Sequence, residues 1–374
     1  MKAICNQPKL AKALSQTSRL IPSRSELPIL SNILVSTSSS SLNIYATNLQ
    51  LSISTQIPAE VTEEGEITIP ALPVQSYISS LLPQKVRIEL KSNRLRVQSE
   101  KTEASFVTMD PVDYPSFPEK EKEPIIVFKT EELARLIRKT RFAAATDESR
   151  PVLTGVLITI TDNRTTFVAT DGFRLSIAEG EVVRATTDKQ RLIIPAAAFN
   201  EVEKLLGSVG ENEVSLYLST DKNQVIFDFV SVCLASRLLE AEYPDYEKIL
   251  PSDFNISVTM AKKDLEQAVR TVSIFAQKGS QTIYFSFKDG KGIVEAQSSE
   301  VGEGKEEIVA NIDGGELSIA FNSSFIREAL EAFGQDQIVF TANDALSPTK
   351  WASPADKGFF HIIMPIRMEE GENA

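Results

Sequence analysis

Ile67-Thr68-Ile69-Pro70-Ala71 runs into an apolar stretch through Tyr77, Ile78, Leu81 and Leu82. The same phrase returns as Leu192-Ile193-Ile194-Pro195-Ala196, followed by Phe199, Val202, Leu205 and Leu206. It returns again as Leu317-Ser318-Ile319-Ala320-Phe321, followed by Phe325, Ile326, Ala329 and Leu330. Each copy reads as a short strand running into a helix. The copies start at 67, 192 and 317, so they recur every 125 residues. That interval is far longer than the roughly 20–50 residues of a solenoid or propeller repeat, so the repeated unit is a whole domain. Three similar domains in one chain predict a curved or ring-like object.

Other segments repeat in step. Ala46-Thr47-Asn48-Leu49-Gln50-Leu51-Ser52-Ile53 answers Ala169-Thr170-Asp171-Gly172-Phe173-Arg174-Leu175-Ser176-Ile177, and Asp113-Tyr114-Pro115 answers Glu242-Tyr243-Pro244. Each unit opens with a short apolar strand and an amphipathic helix, expected over Pro8 to Leu20, Thr130 to Ala145 and Ala261 to Gln277. Alternating strands follow, joined by turn signals such as Lys91-Ser92-Asn93, Asp162-Asn163, Asp221-Lys222-Asn223 and Asp289-Gly290. Two helices among many meandering strands per unit predict an α+β fold, three tandem domains of helices packed on antiparallel sheets. The charged, proline-bounded stretch Pro118 to Pro124 and the stretch Pro251 to Asn255 read as linkers. They divide the chain into domains 1–120, 121–252 and 253–374. The serine run Ser36 to Ser41 reads as a solvated hairpin loop.

Composition narrows the function. No apolar run approaches the length needed to cross a bilayer and no signal-peptide core stands near Met1, so a cytoplasmic protein with no membrane partner is expected. Cys5 and Cys233 fall in different units and read as free thiols. The lone His361 stands in the apolar strand Phe359 to Met364 and reads as a core or edge residue, so no metal site is expected. Asp171-Gly172 is foremost a turn signal, the carboxylate runs are solvated, and no nucleophile–histidine set can be assembled. No catalytic residue and no cofactor are expected.

The net charge of −12 argues against nucleic acid until the charges are placed. On the helical wheel Lys12 and Arg19 fall opposite Leu10, Leu14 and Ile21. Arg135, Arg138 and Lys139 fall opposite Leu133, Leu136 and Ile137, with Arg141 following; Lys263, Arg270 and Lys278 fall away from Leu265, Val269 and Val272. Any single helix shows charge to water, but three repeats with the same basic face, in a chain acidic elsewhere, suggest surfaces that meet phosphates without reading sequence. Zinc-finger spacing, arginine-rich arms and aromatic ribonucleoprotein motifs are missing.

The strings Leu27-Pro28-Ile29-Leu30-Ser31-Asn32, Ala169-Thr170-Asp171-Gly172-Phe173-Arg174-Leu175, Tyr243-Pro244-Asp245-Tyr246 and Met364-Pro365-Ile366-Arg367-Met368 resemble the bacterial DNA polymerase III β subunit, the sliding-clamp family. The resemblance covers nearly the whole chain. It implies a head-to-tail homodimer ring around double-stranded DNA, served by a clamp loader and tethering the replicative DNA polymerase and other proteins with a clamp-binding motif. It places Arg24 with the basic helix faces as a DNA contact. It maps a partner-peptide groove to Leu153, Thr170, Gly172, Phe173, Arg174, Leu175, Pro244, Lys248, Ile249, Asn322, Phe325, Ile362, Met364, Pro365, Ile366, Arg367 and Met368, where flexible methionines suit varied short motifs and Thr170 and Arg174 would orient them. It maps the dimer contact to Phe106, Val107, Ile274 and Phe275, with Ile274 off the apolar stripe of its helix.

Departures from the family are Phe173, where many members carry histidine, Ala196 and Ala197 in place of basic residues, and the acidic extension Glu369 to Ala374, which could tune access to the groove. Rival readings are a clamp paralogue acting in repair or inhibitor resistance, and a repeat-built β-rich hydrolase or ligand-binding protein.

Overall fold

The computed structural model describes residues 1–22, 27–185, 189–276 and 281–368. Among them lie six α-helices: α1 (Gln7–Ser18), α2 (Ala71–Ser80), α3 (Thr130–Thr140), α4 (Ala196–Leu206), α5 (Lys262–Ala276) and α6 (Ser323–Ala332). Two compact units account for the chain. One comprises Met1–Thr130, Val183–Thr186 and Ala197–Leu238; the other comprises Glu131–Val182, Thr187–Ala196 and Leu239–Ala374. Each is built on its own antiparallel sheet.

In the first unit the long strand Leu51–Glu63 organises the sheet. Its opening half pairs with Ser41–Thr47 on one side and with Val232–Arg237 on the other; its later residues pair with Lys2–Asn6. The sheet therefore passes from the first sequence repeat into the second without a break in backbone hydrogen bonding. Against it, α1 and α2 bury Leu10, Leu14, Val74 and Ile78 on Ile33, Ile44 and Val86. At about 25 cal/mol per Å2 of apolar surface, such side chains contribute roughly 1.5–3 kcal/mol each.

The second unit repeats the device. Arg174–Glu181 pairs with Arg164–Thr170 and, on its other edge, with Asp356–Ile363, Leu175 facing Ile362 and Ile177 facing Phe360. Its third-repeat core is aromatic: Trp351 lies 4.8 Å from Phe340 and 5.7 Å from Phe321 between ring centroids, and its indole N–H donates to Thr349 Oγ1 at 3.1 Å, so its polar edge is satisfied.

The hairpins close where the turn signals stand. Ser92, Asn93, Asp162, Asp289 and Gly290 take positive φ, as two-residue turns matched to strand twist require, and Lys222 does so within the longer connection 219–223. Some expectations shift. Helix α3 ends at Thr140 and tightens into a 3-10 turn, Arg141–Ala143, short of the expected Ala145. The serine run is mostly strand, Asn32–Ser38 and Ser41–Thr47 leaving only Ser39-Ser40 as the turn. The Pro118 to Pro124 stretch is held to the sheet, Thr220 N–H donating to Glu119 O and Glu121 N–H to Leu218 O, both at 2.9 Å. Backbone hydrogen bonding has captured residues whose side chains favour solvent.

His361 is fully buried in its strand, Nδ1 at 2.6 Å from Ser176 Oγ and the ring 5.2 Å from Phe142. Burial, aided by the charge of Arg174, pushes its pKa down to about 3. The folded state thus keeps the ring neutral while the unfolded chain protonates it near 6.5. Stability from this source is fully present above pH 6.5 and is lost as pH falls towards 3, at about 1.4 kcal/mol per unit. Denaturant titrations should show the parent chain losing about 2 kcal/mol more than His361→Asn between pH 7.5 and 5; parallel pH profiles would contradict a neutral buried ring.

Candidate functional site

Asp171-Gly172-Phe173 links the strands Arg164–Thr170 and Arg174–Glu181. Gly172 has φ +93°, a conformation that calls for glycine, and the Arg150 guanidinium lies over it. Thr170 Oγ1 donates to the Arg174 carbonyl at 2.6 Å and accepts from Gly172 N–H at 3.0 Å, while Asp171 Oδ1 accepts from the N–H groups of Phe173 and Arg174. The Arg174 guanidinium is 8% exposed. It donates from Nε to Asp171 Oδ2 at 3.0 Å, from Nη1 to Glu328 Oε2 at 2.7 Å and from Nη2 to the Phe142 carbonyl at 2.7 Å. Its charge lies over the rings of Phe325, at 4.4 Å, and Phe142, at 5.5 Å. Thr170 and Arg174 therefore direct these hydrogen bonds into the chain itself.

Around this loop an apolar surface reaches solvent. Leu175 and Ile362 belong to a buried cluster with Leu157, Val168 and Tyr243, and Leu153 is buried as well. The chain leaves the strand Asp356–Ile363 as Met364-Pro365-Ile366, pinned by Met364 N–H to Phe173 O at 2.9 Å and Ile366 N–H to Ala320 O at 2.8 Å. Phe173, Met364 and Ile249 are 60%, 38% and 55% exposed. Asn322 caps α6, its Oδ1 accepting from Ser324 N–H at 2.9 Å, and Phe325 is half-buried beneath Arg174. Pro365, Ile366 and Met368 are half-buried; Pro244, Lys248 and Arg367 are exposed, with Lys248 paired to Asp245 at 2.8 Å. Every groove position expected from sequence falls in the second compact unit.

The basic faces are less uniform than the wheel suggests. Arg138, Lys263 and Arg270 are exposed, with Arg270 contacting the Gln267 side chain. Lys12 is exposed and donates to Ser208 O at 2.6 Å. Arg19 pairs with Glu201 at 2.8 Å, and half-buried Arg135 is held by both Glu132 oxygens at 2.7 Å and by Glu179 O. Arg141 is half-buried. Lys139 does not point outward: it is buried, paired with Asp356, with its ammonium 4.9 Å from the Phe359 ring centroid. Three residues beyond Leu136, it flanks the apolar stripe instead of opposing it, and burial pulls its pKa below the usual lysine range despite Asp356. Arg24, Lys278 and the acidic extension lie outside the described residues.

Phe106 packs edge-on against Tyr77 at 5.7 Å, beside exposed Val107. On α5, Ile274 is 56% exposed, whereas Phe275 presses on Gly304, where a Cβ would sit 2.3 Å from the ring. Among the described residues no group of three or more His, Cys, Asp or Glu could hold a metal ion, and no helix is long and apolar enough to cross a membrane.

Family models for the N-terminal, central and C-terminal domains of the DNA polymerase III beta subunit match residues 1–118, 127–245 and 247–367. The chain belongs to the DNA polymerase III beta subunit family. It is 29% identical to the beta sliding clamp of Synechococcus elongatus over 98% of this chain and 100% of that one, and 28% identical to that of Chlamydia pneumoniae over 99% and 100%. The crystal structure of the DNA polymerase sliding clamp from Bacillus subtilis superposes with a TM-score of 0.94 at 27% identity, covering 99% of this chain and 100% of that one. The fold is thus three tandem clamp domains, helices on antiparallel sheets.

Sequence reasoning read Asp171 as a turn residue and missed Glu328, Phe142 and Arg150 as supports of the loop in this family member. Glu328 lies 154 residues from Arg174 and has no local signature. Lys139→Ala should cost about 3 kcal/mol by stranding Asp356, against less than about 0.5 kcal/mol for exposed Arg138→Ala. Equal, small shifts in chemical denaturation would overturn the burial of Lys139.

Proposed function

We infer that the chain is a DNA sliding clamp: two copies close head to tail into a ring that encircles duplex DNA and tethers the replicative polymerase and other partners. The carrying observation is a joint used twice and left open once. The opening of Leu51–Glu63 receives Val232–Arg237, and the opening of Arg174–Glu181 receives Asp356–Ile363. The equivalent strand of the third repeat, Gly302–Asp313, pairs along 302–309 with Lys291–Ser298 alone, and Glu103–Val107 in the first repeat pairs with Arg94–Gln98 alone, among the described residues. Unpaired edges of this kind are templates for another strand. One copy's Glu103–Val107 set on the other's Gly302–Val309 repeats the joint, with Phe106 and Val107 meeting Ile274 and Phe275 and with Arg94 beside one edge and Glu303 on the other. Heterologous contacts of this type close into a ring when the rotation permits.

Domains 1–120, 121–252 and 253–374 are the modules of this reading. The DNA-facing set comprises Lys12, Arg19, Arg135, Arg138, Arg141, Lys263 and Arg270, on the basic helices and their ends, with Arg24 and Lys278 joining it from the sequence alone; Lys139 drops out of it. Phosphate contacts of this kind are sequence-independent and salt-sensitive, so retention comes from closure and no chemistry is performed on the DNA. The protein acts in the cytoplasm, where a clamp loader opens and places it. Partner motifs dock on Phe173, Ile249, Met364, Ile366 and Met368, over Leu153, Leu175, Pro244, Ile362 and Pro365, with Lys248, Asn322, Phe325 and Arg367 at the rim. Thr170, Gly172 and Arg174 shape the loop.

Encirclement is tested by loading the protein on nicked circular DNA and then linearising it. The protein should stay on circles and run off linear ends; equal retention on both would contradict a ring. Arg138→Glu with Arg270→Glu should shorten residence on circles while the dimer persists in sedimentation. Val107→Asp with Ile274→Asp should instead yield folded monomers, and a persisting dimer would refute the proposed seam. Met364→Ala should weaken partner-peptide binding by about 1–2 kcal/mol by calorimetry, as truncation of an interface anchor does.

A further inference from the structure

The two strand joints carry the same hydrogen-bonded loop and differ in one exchange. In the first repeat, Thr47 Oγ1 donates to the Leu51 carbonyl and accepts from Leu49 N–H, and Asn48 Oδ1 accepts from the N–H groups of Gln50 and Leu51. Thr170, Asp171, Gly172, Phe173 and Arg174 reproduce these bonds one for one. Leu51 thus corresponds to Arg174. Counting from the first residues of the opening helices, Gln7 and Thr130, Arg19 corresponds to Phe142, twelve positions on in each case. Arginine and apolar residue have changed places between the helix end and the loop.

The acidic partner has stayed. Glu201 lies five residues after Ala196, the start of α4, and Glu328 five after Ser323, the start of α6. Glu201 binds Arg19 at 2.8 Å and so ties α4 to the end of α1. Glu328 binds Arg174 at 2.7 Å and so ties α6 to the loop that edges the groove. The arginine it holds covers Phe325, on the same helix, and also donates to Asp171.

We propose that Glu328 is a positioning residue of the partner groove: through Arg174 it fixes the Phe325 ring and the Asp171-Gly172-Phe173 loop before a peptide arrives. This rests on the groove reading given above. The ordering of Phe325 and the loop is completed in the free protein, so a peptide does not have to impose it, and pre-organisation of that kind raises affinity without a new contact. Replacing the carboxylate leaves the buried guanidinium on Asp171 and the Phe142 carbonyl alone and frees the ring to swing.

The full-length chain and a dye-labelled synthetic hexapeptide ending in Leu-Phe, chosen for the apolar surface, test this by fluorescence anisotropy. Glu328→Gln should raise Kd about tenfold with the melting temperature held within about 2 °C. Added to Phe325→Ala, it should change Kd by less than it does alone, because the ring, one of the two elements it positions, is gone. Met364→Ala is measured in parallel. If Met364→Ala weakens binding while Glu328→Gln binds like the parent, or if the Glu328 and Phe325 effects multiply independently, the positioning role is refuted and the groove stands. If neither Met364→Ala nor Glu328→Gln affects binding, the groove reading falls and the proposal with it.

Discussion

Strand-to-strand backbone pairing across repeat boundaries is the constraint on which this architecture rests. A strand edge exposes N–H and C=O groups that must find partners or remain open to water and to other chains. Here the openings of Leu51–Glu63 and Arg174–Glu181 are each satisfied by the last strand of the following repeat, in a register that sets Leu234 against Ile53 in one case and Ile177 against Phe360 in the other. Adjacent strands sit about 4.8 Å apart with fixed registry, so such a joint defines position and twist together. A flexible linker could do neither.

With the joints made of sheet, the helices are left to meet whatever lies on their exposed sides. Arg138, Lys263 and Arg270 stand free of the core while acidic runs occupy the loops and strand ends. A cation exposed on a helix gives up little solvation in approaching a phosphate, and the contact is readily exchanged in salt. Lys139 marks the limit of the arrangement. Placed on the flank of the apolar stripe, it is drawn inward to Asp356 and Phe359, where its charge serves the folded chain.

Much of this was legible in the sequence because duplication writes the same signal three times: strand, proline or small residue, amphipathic helix. The alternation of the strands and the Asn, Asp and Gly turns are local properties, and the hairpins fell where those residues stand. The off-stripe position of Ile274 was likewise readable, and the residue is exposed. What was not legible depends on partners distant in sequence. Nothing near Arg174 announces Glu328 or the Phe142 carbonyl, and nothing in the Pro118 to Pro124 stretch announces that Leu218 and Thr220 will pair with it. The end of α3 was misplaced for a related reason: Arg141, Phe142 and Ala143 continue a helical pattern, yet the chain tightens there into a turn whose Phe142 carbonyl takes the Arg174 donor.

The two joints differ at the strand position before their shared alanine, and the connecting segments beyond them differ with it. Aligning Ala46 with Ala169 sets Tyr45 against Val168. Tyr45 fills its joint: its ring meets Tyr114 at 5.6 Å and Phe117 at 5.7 Å, both edge-on, and its hydroxyl donates to Ser116 O at 3.3 Å. The linker after the first repeat is thereby sealed onto the sheet by three rings, each pair adding about 0.5–1.5 kcal/mol beyond burial. Val168 offers neither ring nor hydroxyl. Tyr243 still docks beside it and reaches its carbonyl at 3.4 Å, but the chain beyond Tyr243 presents Pro244, Lys248 and Ile249 to solvent instead of packing them down. At the first joint aromatic side chains bridge sheet and linker, whereas at the second, where Val168 replaces Tyr45, the chain beyond Tyr243 leaves Pro244 and Ile249 exposed.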